Sequence, residues 1–135
     1  MEELLVGLFS VLCGMAVVDN TKDQPPEIVS VKKIWDQALY NSFTDLVRFK
    51  NKWYCTFRES DAHELGEDGK TRIITSEDGE AWESVALFAV KGRDLRDPKL
   101  SITGDGKLMV RTGACLYEDR IQTTRDSRVS FSGNG

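Results

Sequence analysis

The stretch Thr75-Ser76-Glu77-Asp78-Gly79-Glu80-Ala81-Trp82 predicts a tight turn between two β-strands. Glycine adopts a positive φ without steric cost, and an aspartate carboxylate accepts hydrogen bonds from the backbone N–H groups of its own turn. The Ser76 hydroxyl can add a local bond, and Trp82 can fold back as an apolar plug against the strands. The stretch Phe131-Ser132-Gly133-Asn134-Gly135 is a shortened copy of this pattern. Its serine, Ser132, lies 56 positions after Ser76.

The residues before and after this turn have β-strand patterns, and no helical periodicity competes with them. We predict a first strand that contains Ile28, Val29, Val31, Ile34 and Trp35. A hairpin follows, formed by a strand at Leu46–Phe49, a turn at Lys50–Lys52 and a strand at Trp53–Phe57. After a long polar loop over Arg58–Lys70, two further strands cover Arg72–Thr75 and Trp82–Val90.

The same order then recurs. A second hairpin is predicted from Lys99–Ile102, a turn at Thr103–Gly106 and Lys107–Val110, and after another polar loop a strand covers Arg128–Phe131. A four-stranded unit that repeats at roughly 50 residues indicates the blade of a β-propeller. Because a blade buries its faces only against other blades, and about four or more are needed to close a propeller, we expect an N-terminal piece of a longer protein.

The first 18 residues differ from the rest of the 135-residue chain. Leu4–Val18 carries no charge and resembles the apolar region of a secretory signal peptide, with Gly14 and Ala16 as a small-residue cleavage site. Glu2 and Glu3 stand where positive residues are typical, so an uncleaved anchor and a folded segment stay open. We expect a signal peptide over 1–18, a linker over 19–27 and a secreted or periplasmic protein.

Composition excludes several kinds of partner and site. The net charge is −4, and no Lys/Arg run supplies the basic surface that nucleic acid or an anionic membrane requires. Cys13 lies in the apolar segment, and Cys55 and Cys115 are expected to be buried and reduced. No Cys-x-x-Cys or His/Cys cluster is present, so we expect no metal and no cofactor.

The pattern Ser-x-Asp-Gly-x-x-Trp resembles the Asp box of sialidase-like (BNR-repeat) β-propellers. The resemblance covers 28–135 and implies an all-β fold, a six-bladed propeller in the full-length protein, with one complete blade and a truncated second blade here. It assigns Ser76, Asp78, Gly79 and Trp82 a structural role at the outer edge of the blade, and it places the active site at the propeller axis.

The resemblance also assigns candidate site residues in the first unit. Phe43-Thr44-Asp45-Leu46 matches the Phe-Arg-Ile-Pro stretch of sialidases, but Thr44 replaces the arginine that binds the substrate carboxylate. Arg58 matches a ligand-contacting arginine, and Asp61 is the nearest candidate for the acid/base aspartate. Glu59 would join Arg58 in the substrate groove, unless the two form an exposed ion pair. His63 could shuttle protons, although a solvated histidine is the alternative.

In the second unit, Arg96-Asp97-Pro98 resembles a sugar-binding triplet of sialidases and of five-bladed fructan and arabinan hydrolases; a turn-closing salt bridge is the alternative. The tyrosine nucleophile and its glutamate would come from later blades. We therefore expect part of a sialidase-like glycoside hydrolase, not a standard sialidase, with a glycan as substrate and the later blades as partners. A non-catalytic propeller that binds carbohydrate or protein is the alternative.

Overall fold

A computed structural model describes residues 25–135, and this part of the chain is all-β, as the sequence predicts. Its four-stranded antiparallel sheet has the order β1-β2-β3-β4, and a three-stranded antiparallel sheet follows with the order β5-β6-β7. The two sheets form no closed barrel within the described residues. The strands are β1 Tyr40–Phe49, β2 Lys52–Ser60, β3 Lys70–Ser76, β4 Glu83–Phe88, β5 Asp94–Ile102, β6 Leu108–Glu118 and β7 Ile121–Ser132.

The predicted first strand over Ile28 to Trp35 is wrong. Residues 25–39 contain no strand, and the side chains of Ile28, Val29 and Val31 are exposed. β-Branched residues favour a strand only where they fit a pleated, half-buried surface, and this segment pairs with no strand of the described residues. The predicted signal peptide (1–18), Cys13 and most of the predicted linker (19–27) lie outside the described residues.

Two-residue turns close two of the hairpins. Lys50 and Asn51 have φ values of 46° and 65°, and Asp119 and Arg120 have values of 49° and 68°. Positive φ at both central residues matches the right-handed twist of the paired strands. The prediction of a polar loop before Arg128 is wrong, since β6, the turn at Asp119 and Arg120, and β7 occupy that stretch. The exposed threonines and arginines of this stretch favoured the loop prediction, although threonine fits a strand well.

Each face of the first sheet carries an apolar cluster. One face packs on the second sheet through an apolar cluster of Phe49, Tyr54, Ile73, Leu100, Leu108 and Val110. The opposite face carries Cys55, Phe57 and Ile74, on which Trp35 and Trp82 pack. Alternating residues of β2 serve the two faces because successive side chains of a strand point in opposite directions.

Cys55 and Cys115 are buried free thiols on different sheets, which confirms the prediction that they are reduced. Burial raises the pKa of the Cys55 thiol to about 11. Both cysteines therefore act as small apolar core residues.

The turn between β3 and β4 is closed by the side chains of Ser76 and Asp78. Ser76 Oγ donates to Asp78 Oδ1 (3.0 Å) and accepts from the Gly79 N–H (2.8 Å). Asp78 Oδ1 also accepts the backbone N–H groups of Glu80 (2.8 Å) and Ala81 (3.0 Å). Gly79 has a φ of 80°, a backbone conformation that glycine adopts without steric cost.

Trp82 completes this turn, because its ring N–H donates to the Gly79 carbonyl (3.0 Å) while the ring covers the core of the first sheet. The end of β7 repeats the first part of this geometry. Ser132 Oγ donates to Asn134 Oδ1 (3.0 Å) and accepts from the Gly135 N–H (3.0 Å). The two sheets thus share both their strand order and the turn that follows their third strand.

Replacing Asp78 by alanine is expected to lower the urea midpoint of unfolding, because two backbone N–H groups and a hydroxyl lose their acceptor. Bonds from Ala81 and Glu80 lower the pKa of the Asp78 carboxyl. This stabilisation is therefore present above the unfolded pKa of about 3.9 and is lost as pH falls through the lower folded value.

The measurement is a set of urea titrations at pH 7 and at pH 3 and below. The difference between wild type and Asp78→Ala should narrow in acid, while Glu77→Ala, which removes a mostly exposed carboxylate, should stay near wild type. Equal midpoints for wild type and Asp78→Ala at pH 7 would contradict the structural role of this turn.

Candidate functional site

A buried ion pair joins the two sheets at the end where β1 and β5 begin, which we call the upper edge. Arg58, at the end of β2, is 1% exposed, and its Nε and Nη2 atoms lie 2.9 Å and 2.8 Å from Asp94 Oδ1. The Gly69 N–H donates to the same oxygen (2.9 Å), and the third guanidinium nitrogen donates to the Ala62 carbonyl (2.8 Å). The charge is therefore both paired and hydrogen-bonded, as a buried ion requires.

Three further hydrogen bonds cross from one sheet to the other. The Leu95 N–H donates to the Gly69 carbonyl (2.9 Å), and the buried Thr71 hydroxyl donates to the Thr112 hydroxyl (3.1 Å). Asp45 on β1 accepts the Leu100 N–H of β5 (2.8 Å). These bonds fix the height of β5 relative to β1, so the residues at the start of both strands meet at the upper edge.

Both of these strands carry a β-bulge at the same point. The register shifts between Ser42 and Asp45 in β1 and between Arg96 and Lys99 in β5. The first bulge residue is Phe43 in one strand (φ 58°) and Asp97 in the other (φ 47°). Such a backbone is strained for a residue with a side chain, above all for phenylalanine, and such strain concentrates at functional sites.

Arg96 lies at the centre of an aromatic and polar cluster at the upper edge. Its Nη1 donates to the Tyr117 hydroxyl (2.8 Å), and its guanidinium stands over the Phe43 ring at 5.7 Å from the ring centre. The neighbouring His63 is exposed and bonds through Nδ1 to the Tyr40 hydroxyl (2.6 Å). The cluster combines flat apolar rings with hydrogen-bonding groups, a surface suited to a ligand with both apolar and hydroxyl faces.

Asp97 contributes the carboxylate next to this cluster. Its side chain is 38% exposed, and Oδ2 accepts a 2.6 Å bond from Nη2 of Arg125 on β7. Pro98, which follows it, is fully buried and sits in the bulge, where its missing N–H costs no ladder hydrogen bond. The bulge therefore holds the Asp97 carboxylate at a defined place that solvent can reach.

Two of the predicted site residues lie apart from this cluster. Glu59 points to the opposite face of the sheet, where it accepts bonds from Arg72 (2.9 and 3.0 Å) and from the Trp35 ring N–H (2.7 Å). Asp61 turns into its own loop and accepts the Glu67 N–H (2.7 Å). That backbone bond is the main cause that lowers the pKa of the Asp61 carboxyl.

The structure thus brings Arg58, His63, Arg96 and Asp97 together at the upper edge, whereas Glu59 lies on the opposite face of the sheet and Asp61 bonds within its own loop. The turn residues Ser76 and Trp82 lie at the opposite end, since Ser76 pairs with Trp53 beside the β1–β2 hairpin turn. Sequence reasoning missed Asp94, Tyr117 and Arg125. Asp94 stands three residues before Asp97 at the start of a strand, which could have marked it, whereas no local pattern marks Arg125.

No group of three or more His, Cys, Asp or Glu residues within 25–135 is arranged to hold a metal ion. In the same part of the chain, no helix is long and apolar enough to cross a membrane.

No protein-family model and no curated protein matches this sequence. Among solved structures, the chain is similar to a crystal structure described as a putative glycoside hydrolase from Parabacteroides distasonis, with 18% sequence identity and a TM-score of 0.50. The match covers 69% of this chain, and the chain spans 29% of the length of that protein. At this identity the likeness shows a shared β-sheet arrangement.

Breaking the ion pair between the sheets is expected to destabilise the protein strongly. Arg58→Met or Asp94→Leu alone should lower the free energy of unfolding by about 3 to 5 kcal/mol, because each leaves a buried charge without its partner. The double variant should recover much of this loss, since neither charge then remains. Urea titrations measure all three, with Arg128→Ala, in an exposed pair, as the control that changes stability by about 1 kcal/mol or less. Single variants as stable as this control would show that the pair does not join the sheets.

Proposed function

We propose that this chain belongs to a sialidase-like glycoside hydrolase that acts on a glycan, with a sugar subsite at the upper edge. The observation that carries the proposal is the solvent-accessible Asp97 carboxylate, held on a strained bulge directly after Arg96, whose guanidinium contacts the Tyr117 hydroxyl and the Phe43 ring. A carboxylate accepts hydrogen bonds from vicinal sugar hydroxyls. Aromatic rings offer the apolar face on which a sugar ring can lie.

The proposal gives each upper-edge residue a role. Asp97 would bind sugar hydroxyls, while Arg96, fixed by Tyr117, would hold the local charge balance next to Asp97. His63 would serve as the proton shuttle, and the Tyr40 hydroxyl, 2.6 Å from its Nδ1, orients the ring. Arg58 would support the site from beneath, because its N–H groups bind Asp94 and the Ala62 carbonyl.

The proposal also includes the wider organisation. Residues 28–135 would form the first blade and part of the second blade of the propeller, with Ser76, Asp78, Gly79 and Trp82 as an Asp box. A signal peptide over 1–18 would bring the protein to glycans outside the cytoplasm. The tyrosine nucleophile and its glutamate would come from later blades, and Thr44 in place of an arginine argues for a substrate other than that of a standard sialidase.

A non-catalytic propeller that binds carbohydrate or protein is the second candidate. The engagement of Asp61 within its own loop favours it, because Oδ1 accepts the Glu67 N–H (2.7 Å) and the Ser60 hydroxyl (3.2 Å). The engagement of Glu59 by Arg72 and Trp35 adds to this, since both of its oxygens are already in use.

The test is sugar binding and sugar release by the full-length protein, which includes the later blades, measured by saturation-transfer NMR and by release from sialylated and fructan substrates. Asp97→Asn should abolish both, since it removes the anionic acceptor while asparagine tolerates the same backbone conformation. Asp126→Asn on β7 is the matched control, because this exposed carboxylate only pairs with Arg93 and Arg128.

Binding with no release would favour the second candidate. Release that survives Asp97→Asn would contradict the assignment of this residue. A folded protein that neither binds nor cleaves any sugar would contradict both candidates.

A further inference from the structure

Arg125 reaches Asp97 across an intervening strand. Arg125 lies on β7 and Asp97 on β5, and β6 runs between them. Neighbouring strands are about 4.8 Å apart, so the guanidinium must lie over the backbone of β6 to come within 2.6 Å of the Asp97 carboxylate.

A glycine in β6 leaves the space for this crossing. A Cβ atom at Gly113 would lie 2.6 Å from Arg125 Nε, closer than real Cβ contacts come, and 3.0 Å from Nη2. The backbone of Gly113 has no positive φ, so its conformation suits other residues. Position 113 therefore requires glycine because a larger side chain would occupy the space of the Arg125 side chain.

The other ion pair of the upper edge uses the same device. A Cβ atom at Gly69 would lie 2.3 Å from Asp94 Oδ1 and 2.4 Å from Arg58 Nε. In both places, an arginine that pairs with an aspartate of another strand lies over a glycine. The Arg58–Asp94 pair is buried and holds the sheets, whereas the pair of Asp97 and Arg125 is about half exposed and faces solvent.

This difference in exposure indicates a different task for the second pair. An exposed ion pair contributes little to stability. A guanidinium bound to Oδ2 does, however, fix the rotation of the carboxylate and hence the direction in which Oδ1 faces. Resting on the proposed function, we propose that Arg125 is a positioning residue for Asp97 in the glycan site, and that Gly113 provides the gap through which it reaches Asp97.

Gly113→Ala tests this without removing either charged group. The new methyl displaces the flexible end of the Arg125 side chain, while the strand backbone accepts alanine at no cost. Sugar affinity should fall about threefold to tenfold, as expected for a lost charge-assisted contact, and the urea midpoint should not fall. Arg125→Lys should give an intermediate affinity, and Arg128→Ala, on the same strand but the opposite face, should match wild type.

A second readout does not depend on sugar. In protein with carbon-13-labelled aspartate, the Asp97 carboxylate resonance should shift in Gly113→Ala and in Arg125→Lys, while that of Asp126 stays in place. If the wild type binds no sugar, the proposed function fails, and this resonance alone decides the positioning role. An unchanged Asp97 resonance in both variants would overturn it.

The sugar-affinity measurements can also contradict the positioning role of Arg125. If Asp97→Asn weakens sugar binding while Gly113→Ala and Arg125→Ala retain wild-type affinity, Arg125 does not position Asp97. Should Gly113→Ala lower stability, Arg125→Ala decides the question, since it adds no atom: lost affinity supports the role, and retained affinity overturns it.

Discussion

The arrangement of this protein depends on the buried ion pair between Arg58 and Asp94. Two nitrogens of the guanidinium bind one carboxylate oxygen, and the Gly69 N–H binds the same atom, so the charges are compensated in a region that excludes water. Each partner comes from a different sheet, and neither can move without exposing a buried charge. The pair therefore sets how the second sheet sits on the first.

Because the sheets are fixed in this way, the starts of β1 and β5 lie side by side, with their two strained bulges. The positive φ values at Phe43 and Asp97 would be costly in an isolated strand. Here, the cross-sheet bond at Asp45, the bond from the Thr112 hydroxyl to the Arg96 carbonyl within the second sheet, and the buried Pro98 hold the bulges in place. These buried contacts thus support an upper edge where accessible polar groups stand on strained backbone.

Sequence reasoning recovered the features that are local in the chain. Turn residues and alternating apolar residues predicted the hairpin that begins each sheet, and Asp78-Gly79 predicted the turn after β3. It failed where context overrides propensity: Ile28 to Trp35 has strand-forming residues but no partner strand, and the threonine- and arginine-rich start of β7 looked like a loop.

The site was predicted only in part for a similar reason. Arg96 and Asp97 stand next to a proline at a strand start, which the sequence displays. The alternation of β2, however, sends Arg58 into the space between the sheets and Glu59 to the other face, and deciding which residue faces which side requires the sheet packing. Arg125 lies 28 positions after Asp97, and its role depends on an empty place at Gly113 that only the structure reveals.

We propose that the pairing of the two sheets builds a sugar subsite at the upper edge. The most direct test of this proposal is a titration of the isotope-labelled protein with sugars, followed residue by residue in amide NMR spectra. We expect the largest shifts at His63, Arg96, Asp97, Tyr117 and Arg125, with little change at Ser76 to Trp82. Shifts concentrated at that turn, or spread evenly over both sheets, would contradict it.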